Sequence, residues 1–283
     1  MIRFALALLF FNSLSFSATI SEKLFIVSDS IQAFDGSKFP YTTFNSSLVF
    51  EQSNPLLEVF QDDSLLLWVV NKDDVSHDFE IKGKIGAQTI APNDSIYLPL
   101  KMEESGVFIY RDPSLNDQMV YLGLGGSIIV KDHNHPSFSW NIREHDSLWN
   151  VQIKNSGTVN WSNYNPKYFT INGVSNPLTN ADAQARITGS IGDTIILYIS
   201  NCGKSIHSIH FHGYHAVILS SSAHPFHQGR EKDTFPIESQ ETLILRIVPD
   251  KSGEYPVHDH NLIAVSGNNI YPNGMFLTML ISP

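Results

Sequence analysis

The chain has 283 residues, enough for one large domain or two ordinary ones. A formal net charge of −10 with no basic run argues against a nucleic-acid partner. With 42% hydrophobic and only 16% charged residues, a buried core is expected and long solvated helices are not.

In chain order, Met1 to Ser17 comes first: one basic residue (Arg3), an apolar run from Phe4 to Phe11, then small residues. This reads as a signal peptide (residues 1–17) cleaved near Ala18. The run is short for a bilayer span, so the expectation is a secreted or periplasmic protein with no membrane attachment after cleavage. Runs with period-two alternation follow: Leu65–Val70, Ile96–Leu100, Val107–Tyr110 and Ser127–Val130, then Ile195–Ile199, Leu243–Val248 and Phe276–Ile281. Gly, Pro, Asn and Asp punctuate them at short intervals, which predicts an all-β sandwich or barrel. The single cysteine, Cys202, excludes an internal disulfide and a four-cysteine zinc site. It reads as a buried thiol at the end of a strand.

The two halves repeat each other. Asp63 to Asn71 (DSLLLWVVN) matches Asp193 to Asn201 (DTIILYISN), and six residues after each Asn stands a histidine, His77 or His207. Gly106 to Asp112 matches Gly253 to Asp259, and Gly123-Leu124 matches Gly274-Met275. A period this long is a duplicated domain. The break is expected near residues 131–140, giving domain one over residues 18–132 and domain two over residues 138–283.

Nine of the 12 histidines follow residue 140. On a strand, residues two apart share a face, so His210 and His212 point one way together, as do His258 and His260. Two such strands side by side bring four imidazoles to one place, a donor set that suits copper, zinc, iron or nickel. His145, His224 and His227 read as core or surface residues, and His133 and His135 as a solvated linker.

At these residues the second half resembles the last cupredoxin domain of the multicopper oxidases, the laccase and nitrite reductase type of fold. Tyr168 to Gly173, His207-x-x-His210-x-His212-Gly213, Lys232-Asp233-Thr234, His258-x-His260 and Gly274-Met275 carry the likeness. It implies two tandem cupredoxin domains, each a Greek-key β-sandwich. By position it implies that His210, His212, His258 and His260 are ligands of a copper cluster. His207 matches a blue-copper ligand, and Met275 is a further, weaker candidate. The likeness also implies a small-molecule reductant, O2 as acceptor and a homotrimer with its cluster shared between neighbouring subunits.

The departures from that pattern matter as much. Asp259 stands where the family has its thiolate, and Ala264 where a second blue-copper histidine would fall. In domain one, Glu80, Lys82, Arg111 and Pro113 occupy the cluster positions, and neither a guanidinium nor an ammonium serves as a ligand. In both halves a histidine at the former blue-copper position goes with an Asp at the cysteine position: His77 with Asp112, His207 with Asp259. Each pair is expected to form a buried hydrogen-bonded contact, since buried charges must find partners. Three functions remain open. One is a copper oxidoreductase without a blue-copper relay, holding one or two ions in a pocket shaped by Tyr214 or His215. The second is an exported copper or zinc carrier or sensor. The third is an interaction module with vestigial ligands.

Overall fold

The computed structural model describes residues 17–155 and 159–283. The predicted signal peptide lies outside them apart from Ser17.

The first half supplies nine strands: β1 (Thr19–Gln32), β2 (Lys38–Asn45), β3 (Leu56–Phe60), β4 (Ser64–Asn71), β5 (His77–Ile81), β6 (Ile85–Ile90), β7 (Ser95–Lys101), β8 (Gly106–Arg111) and β9 (Gly125–Lys131). A short helix, α1 (Gln118–Leu122), precedes β9. The second half opens with β10 (Ser137–His145), α2 (Ser147–Lys154) and β11 (Tyr168–Ile171). After these come β12 (Thr188–Ser190), β13 (Ile195–Asn201), β14 (His207–Phe211) and β15 (Ala216–Ser221). The chain ends with β16 (Glu231–Lys232), β17 (Thr234–Ile237), β18 (Thr242–Ile247), β19 (Gly253–Asp259) and β20 (Phe276–Ser282).

Pairing makes the duplication explicit. One sandwich joins the sheets β2-β1-β4-β7 and β3-β9-β8-β5-β6; the other joins β11-β10-β13-β18-β15-β16 and β12-β20-β19-β14-β17. In the first, β1 runs parallel to β4 and β3 parallel to β9; in the second, β10 runs parallel to β13 and β12 parallel to β20. The order is the same in both, except that β15 and β16 extend one sheet of the second sandwich, and the fold is two tandem cupredoxin sandwiches.

Alternation fixes the faces. Along β14, His207, Ile209 and Phe211 are buried while Ser208 and His210 point outward. On β19, Val257 and Asp259 are buried and His258 lies outward. Each half has its own apolar core, Phe44, Phe79, Tyr110 and Ile128 in one and Trp140, Phe211, Leu245 and Met279 in the other. Between them, Val107 and Ile129 of the first sandwich pack on Ile196 and Tyr198 of the second. Ser127 and Ser200 share a hydrogen bond across this seam, and Arg143 donates to the carbonyls of Val120 (3.0 Å) and Gly125 (2.6 Å). Cys202, just past β13, is fully buried there against Ile109 and Val120.

The helix α2 crosses the division. Trp149 and Ile153, with Val159 after it, pack into the core of the first sandwich although they follow β10 in sequence. Asp146 caps the helix, accepting from the amides of Leu148 and Trp149. At its other end Lys154 Nζ reaches Asp73 Oδ2 at 2.9 Å. Among the described residues no helix is long and apolar enough to cross a membrane.

Candidate metal centre

The strands β14 and β19 pair so that His210 stands directly opposite His258. One residue pair further on, His212 Nε2 and His258 Nε2 lie 2.9 Å apart. The His210 ring is 4.8 Å from that of His212, 5.8 Å from His258 and 5.4 Å from His260, centroid to centroid. All four imidazoles therefore gather on the outer face of one sheet.

Two of the rings are oriented from behind. His258 Nδ1 donates to the Asp259 carbonyl at 2.8 Å, which leaves Nε2 with its lone pair. His210 Nδ1 lies 2.9 Å from Thr234 Oγ1, and that hydroxyl itself donates to Asp233 Oδ1 at 3.0 Å. The hydroxyl proton being spent on Asp233, Thr234 accepts from His210 and fixes the same tautomer, an arrangement common behind metal-binding imidazoles. Partial burial and then the neighbouring His258 and His210 push the pKa of His212 down, which keeps it neutral and able to ligate.

Among the described residues no three His, Cys, Asp or Glu side chains already stand as a coordination set; the imidazoles meet in pairs. Two nitrogens bound tetrahedrally at about 2.0–2.1 Å from one ion would lie about 3.3 Å apart. The contact between His212 and His258 needs to open by only a few tenths of an ångström to reach that spacing. The donor set is partly exposed and lies on and just beyond two adjacent strands, and it fits an imidazole-loving ion.

The equivalent face of the first sandwich has no such set. Glu80 stands opposite Arg111, whose Nε donates to Glu80 Oε1 at 2.6 Å and whose guanidinium also reaches Asp117 Oδ1 at 2.8 Å. Lys82 Nζ donates to the Gln240 carbonyl of the second sandwich at 2.7 Å.

Inside the sandwiches, the two expected histidine–aspartate contacts are present, His207 with Asp259 and His77 with Asp112. His207 Nδ1 lies 2.6 Å from Asp259 Oδ2, and its Nε2 lies 2.9 Å from Glu144 Oε2. His77 Nδ1 lies 2.7 Å from Asp112 Oδ2, and its Nε2 lies 3.2 Å from Asp73 Oδ2. Each buried imidazole thus spans two carboxyl groups. Burial alone would lower the pKa of His207, but its bonds to Asp259 and Glu144 push it up to about 9. Burial would raise that of Glu144, yet His207, Tyr164 and Ser205 hold it at about 2. His77 is raised and Asp73 lowered in the same way, each against its own burial. With both nitrogens engaged, His207 has no lone pair for a metal and is removed from the ligand set. Met275 is a fully buried residue of the second core.

The sequence reading missed the second carboxylate of each trio because it comes from a different place in each half. In register, Ser28 corresponds to Glu144 and Asp73 to Gly203. In the first half the loop supplies the carboxylate and the strand a small residue, Ser28, which donates to Asp73 Oδ2 at 2.6 Å. In the second half the strand supplies Glu144, and a Cβ at Gly203 would overlap its Oε2. Tyr214 also departs from expectation. It is buried in the second core with its hydroxyl on the Lys251 carbonyl, so it does not wall the imidazole face, whereas His215 is exposed. His145 is a core residue as expected, ringed by Phe39 and Tyr41, and burial pushes its pKa down to about 3.

The fold is that of the cupredoxins, and the comparisons with known proteins show a likeness to the multicopper oxidases. Residues 150–283 match the profile of the family described as multicopper oxidase. The whole fold is shared with a blue copper oxidase from Nitrosomonas europaea (TM-score 0.79, 21% identity, 93% of this chain and 86% of that one). It is shared also with the multicopper oxidase mgLAC (0.78, 19%, 94% and 87%). A copper nitrite reductase from Nitrosomonas europaea is similar too (0.72, 17%, 93% and 94%). At these identities the likeness carries the fold alone. A search of curated proteins found no significant match. The chain is multicopper oxidase-like, and its own residues must decide what it does.

Proposed function

We propose that the protein is an exported copper-binding oxidoreductase that holds one or two copper ions on His210, His212, His258 and His260 and works without a blue-copper relay. The observation that carries this reading is the gathering of four imidazoles on one sheet face, with His210 and His258 locked from behind. Bound there, copper would supply one-electron chemistry, with a small reductant as donor and O2 as acceptor. The residues of the chain hold the ion and, through the Asp259 carbonyl behind His258 and Thr234 with Asp233 behind His210, fix the imidazole tautomers. The leader, residues 1–17, directs export. The division into a ligand-free first domain (residues 18–132) and a metal-binding second domain (residues 138–283) completes the reading.

A second copy of the chain covers the imidazole face, most simply in a homotrimer. Leu262, Ile263, Ile270 and Tyr271, all more than half exposed, lie in the loop that follows His260. Such a cluster of large apolar side chains on one loop is expected at an interface. Sedimentation should give a trimer, and Leu262→Asp with Ile263→Asp should give a monomer; a monomeric parent protein removes the shared-face picture.

The second reading is an exported copper or zinc carrier or sensor. It draws on the closed trio at His207, which leaves no thiolate path from the surface, and on the possibility that four imidazoles close the coordination sphere. Metal content per chain, measured by mass spectrometry after copper loading and exhaustive dialysis, separates these. One or two coppers, lost in a His258→Ala, His260→Ala variant, is the expected result. Zinc retained in preference points to the carrier. No retained metal sinks both and leaves an interaction module.

A further inference from the structure

Glu144 uses its two oxygens differently. Oε2 holds His207, while Oε1 accepts the Tyr164 hydroxyl at 2.8 Å together with the amides of Lys204 and Ser205 at 2.9 and 2.7 Å. Behind the phenol runs a line of indoles. Trp149 lies 4.5 Å from Tyr164 and 4.3 Å from Trp161, centroid to centroid. Trp161 is 37% exposed, so the line begins at solvent. The Lys204 ammonium stands 5.3 Å from the Trp161 ring and 6.0 Å from that of Tyr121. A cation over an indole opposes positive charge on it, so an electron vacancy created at Trp161 is driven inward, toward Trp149 and Tyr164.

We propose that Tyr164 is a redox-active residue, oxidised by one electron through Trp161 and Trp149 as it passes its proton to Glu144. In the forward step a one-electron oxidant gains an electron, the Tyr164 O–H bond breaks, and the proton moves to Glu144 Oε1. A neutral tyrosyl radical remains. In the return step a reductant supplies one electron, Glu144 gives the proton back, and the phenol is restored. Geometry carries the assignment: a carboxylate oxygen within hydrogen-bond reach of the proton it takes, and rings in near contact from there to the surface. A tyrosine that sheds its proton as it is oxidised is easier to oxidise than a tryptophan that must become a cation. The vacancy therefore comes to rest on Tyr164. Burial and the charge of Glu144 keep Tyr164 protonated, so it has a proton to give.

In use, this inference rests on the oxidoreductase reading. It gives a substrate electron a stopping place in a chain with no thiolate beside its histidines, and from Glu144 the contacts continue through His207 to Asp259, between His258 and His260. The chemistry of Tyr164 needs no metal, so its failure and that of the copper site can be told apart: one is read in metal-free protein, the other in copper content.

The experiment is photo-oxidation of the metal-free full chain with a ruthenium polypyridyl sensitiser and persulfate, freezing, and electron paramagnetic resonance. The expected result is a neutral tyrosyl signal that falls severalfold in Tyr164→Phe, falls in Trp161→Phe, and forms more slowly in deuterium oxide. Tyr168→Phe should leave the signal unchanged: that hydroxyl also faces a carboxylate, Asp35 at 3.2 Å, but none of the indoles of the line packs on its ring. Circular dichroism checks that each variant is folded, and Tyr164→Phe removes a single oxygen. An undiminished signal in Tyr164→Phe, or a trapped tryptophan radical with no tyrosyl signal, overturns the proposal.

Discussion

At the scale of single residues, the protein buries two ionic trios, one in each sandwich, and their titration shapes its response to pH. The ordinary value for histidine is 6.5, whereas folded His207 keeps its proton to about 9. Its stabilising effect is complete below about pH 6.5 and is lost as pH rises through about 9. Glu144 behaves oppositely: its ordinary value is 4.5 and its folded value about 2. Its contribution is complete above about pH 4.5 and is lost as pH falls toward 2. His77, raised by Asp112 and Asp73, adds to the alkaline loss. The buried His145, neutral in the folded chain down to about pH 3, adds an acid loss that begins below about pH 6.5. The melting temperature should therefore be highest near pH 6.5 and fall on either side, toward pH 9 and toward pH 3. Glu144→Leu, which leaves buried His207 only Asp259 and unpairs the Tyr164 hydroxyl and the amides of Lys204 and Ser205, should cost about 3–5 kcal/mol in urea unfolding near neutral pH. Half of each trio was legible in the sequence, because His77 with Asp112 and His207 with Asp259 recur at matching places in the repeat. The other half was not. Asp73 and Glu144 occupy non-equivalent positions, and only the packing of one sheet on the other brings Glu144 of β10 to a histidine 63 residues later on β14.

At the scale of elements, the strands were the easy part. Alternation on β14 and β19 separates inward His207 and Asp259 from outward His210 and His258, and the facing of His-x-His against His-x-His follows from the shared sheet. The helix α2 gave no comparable signal. Its sequence, SLWNVQIK, is one turn too short for a convincing apolar stripe, and its start depends on Asp146 as a cap. Yet it matters for stability, since Trp149 is buried in the first core and packs on Trp161 and Tyr164. Trp149→Ala should lower stability by about 3–5 kcal/mol, read as a lower urea midpoint. Near-ultraviolet circular dichroism should record the loss of the indole cluster.

At the scale of the whole molecule, the outer positions equivalent to the four imidazoles meet different neighbours in the first half, some within its own sandwich and one across the seam between the two. The cluster positions of the first half are tied up within the chain, Arg111 with Glu80 and Asp117 and Lys82 with Gln240. Those of the second half stay on an open face. Repeat analysis identifies the two halves but gives no hint of this asymmetry, because it depends on which outer faces meet. The same seam explains the helix that crosses it. A ribosome delivers the chain from its N-terminus, and domains commonly fold as they emerge. Here the first sandwich cannot close its core when β9 appears at residue 131, since Trp149, Ile153 and Val159 are still to come. It waits for β10 and α2, and by then the second sandwich has begun, so the two halves are timed to each other during synthesis.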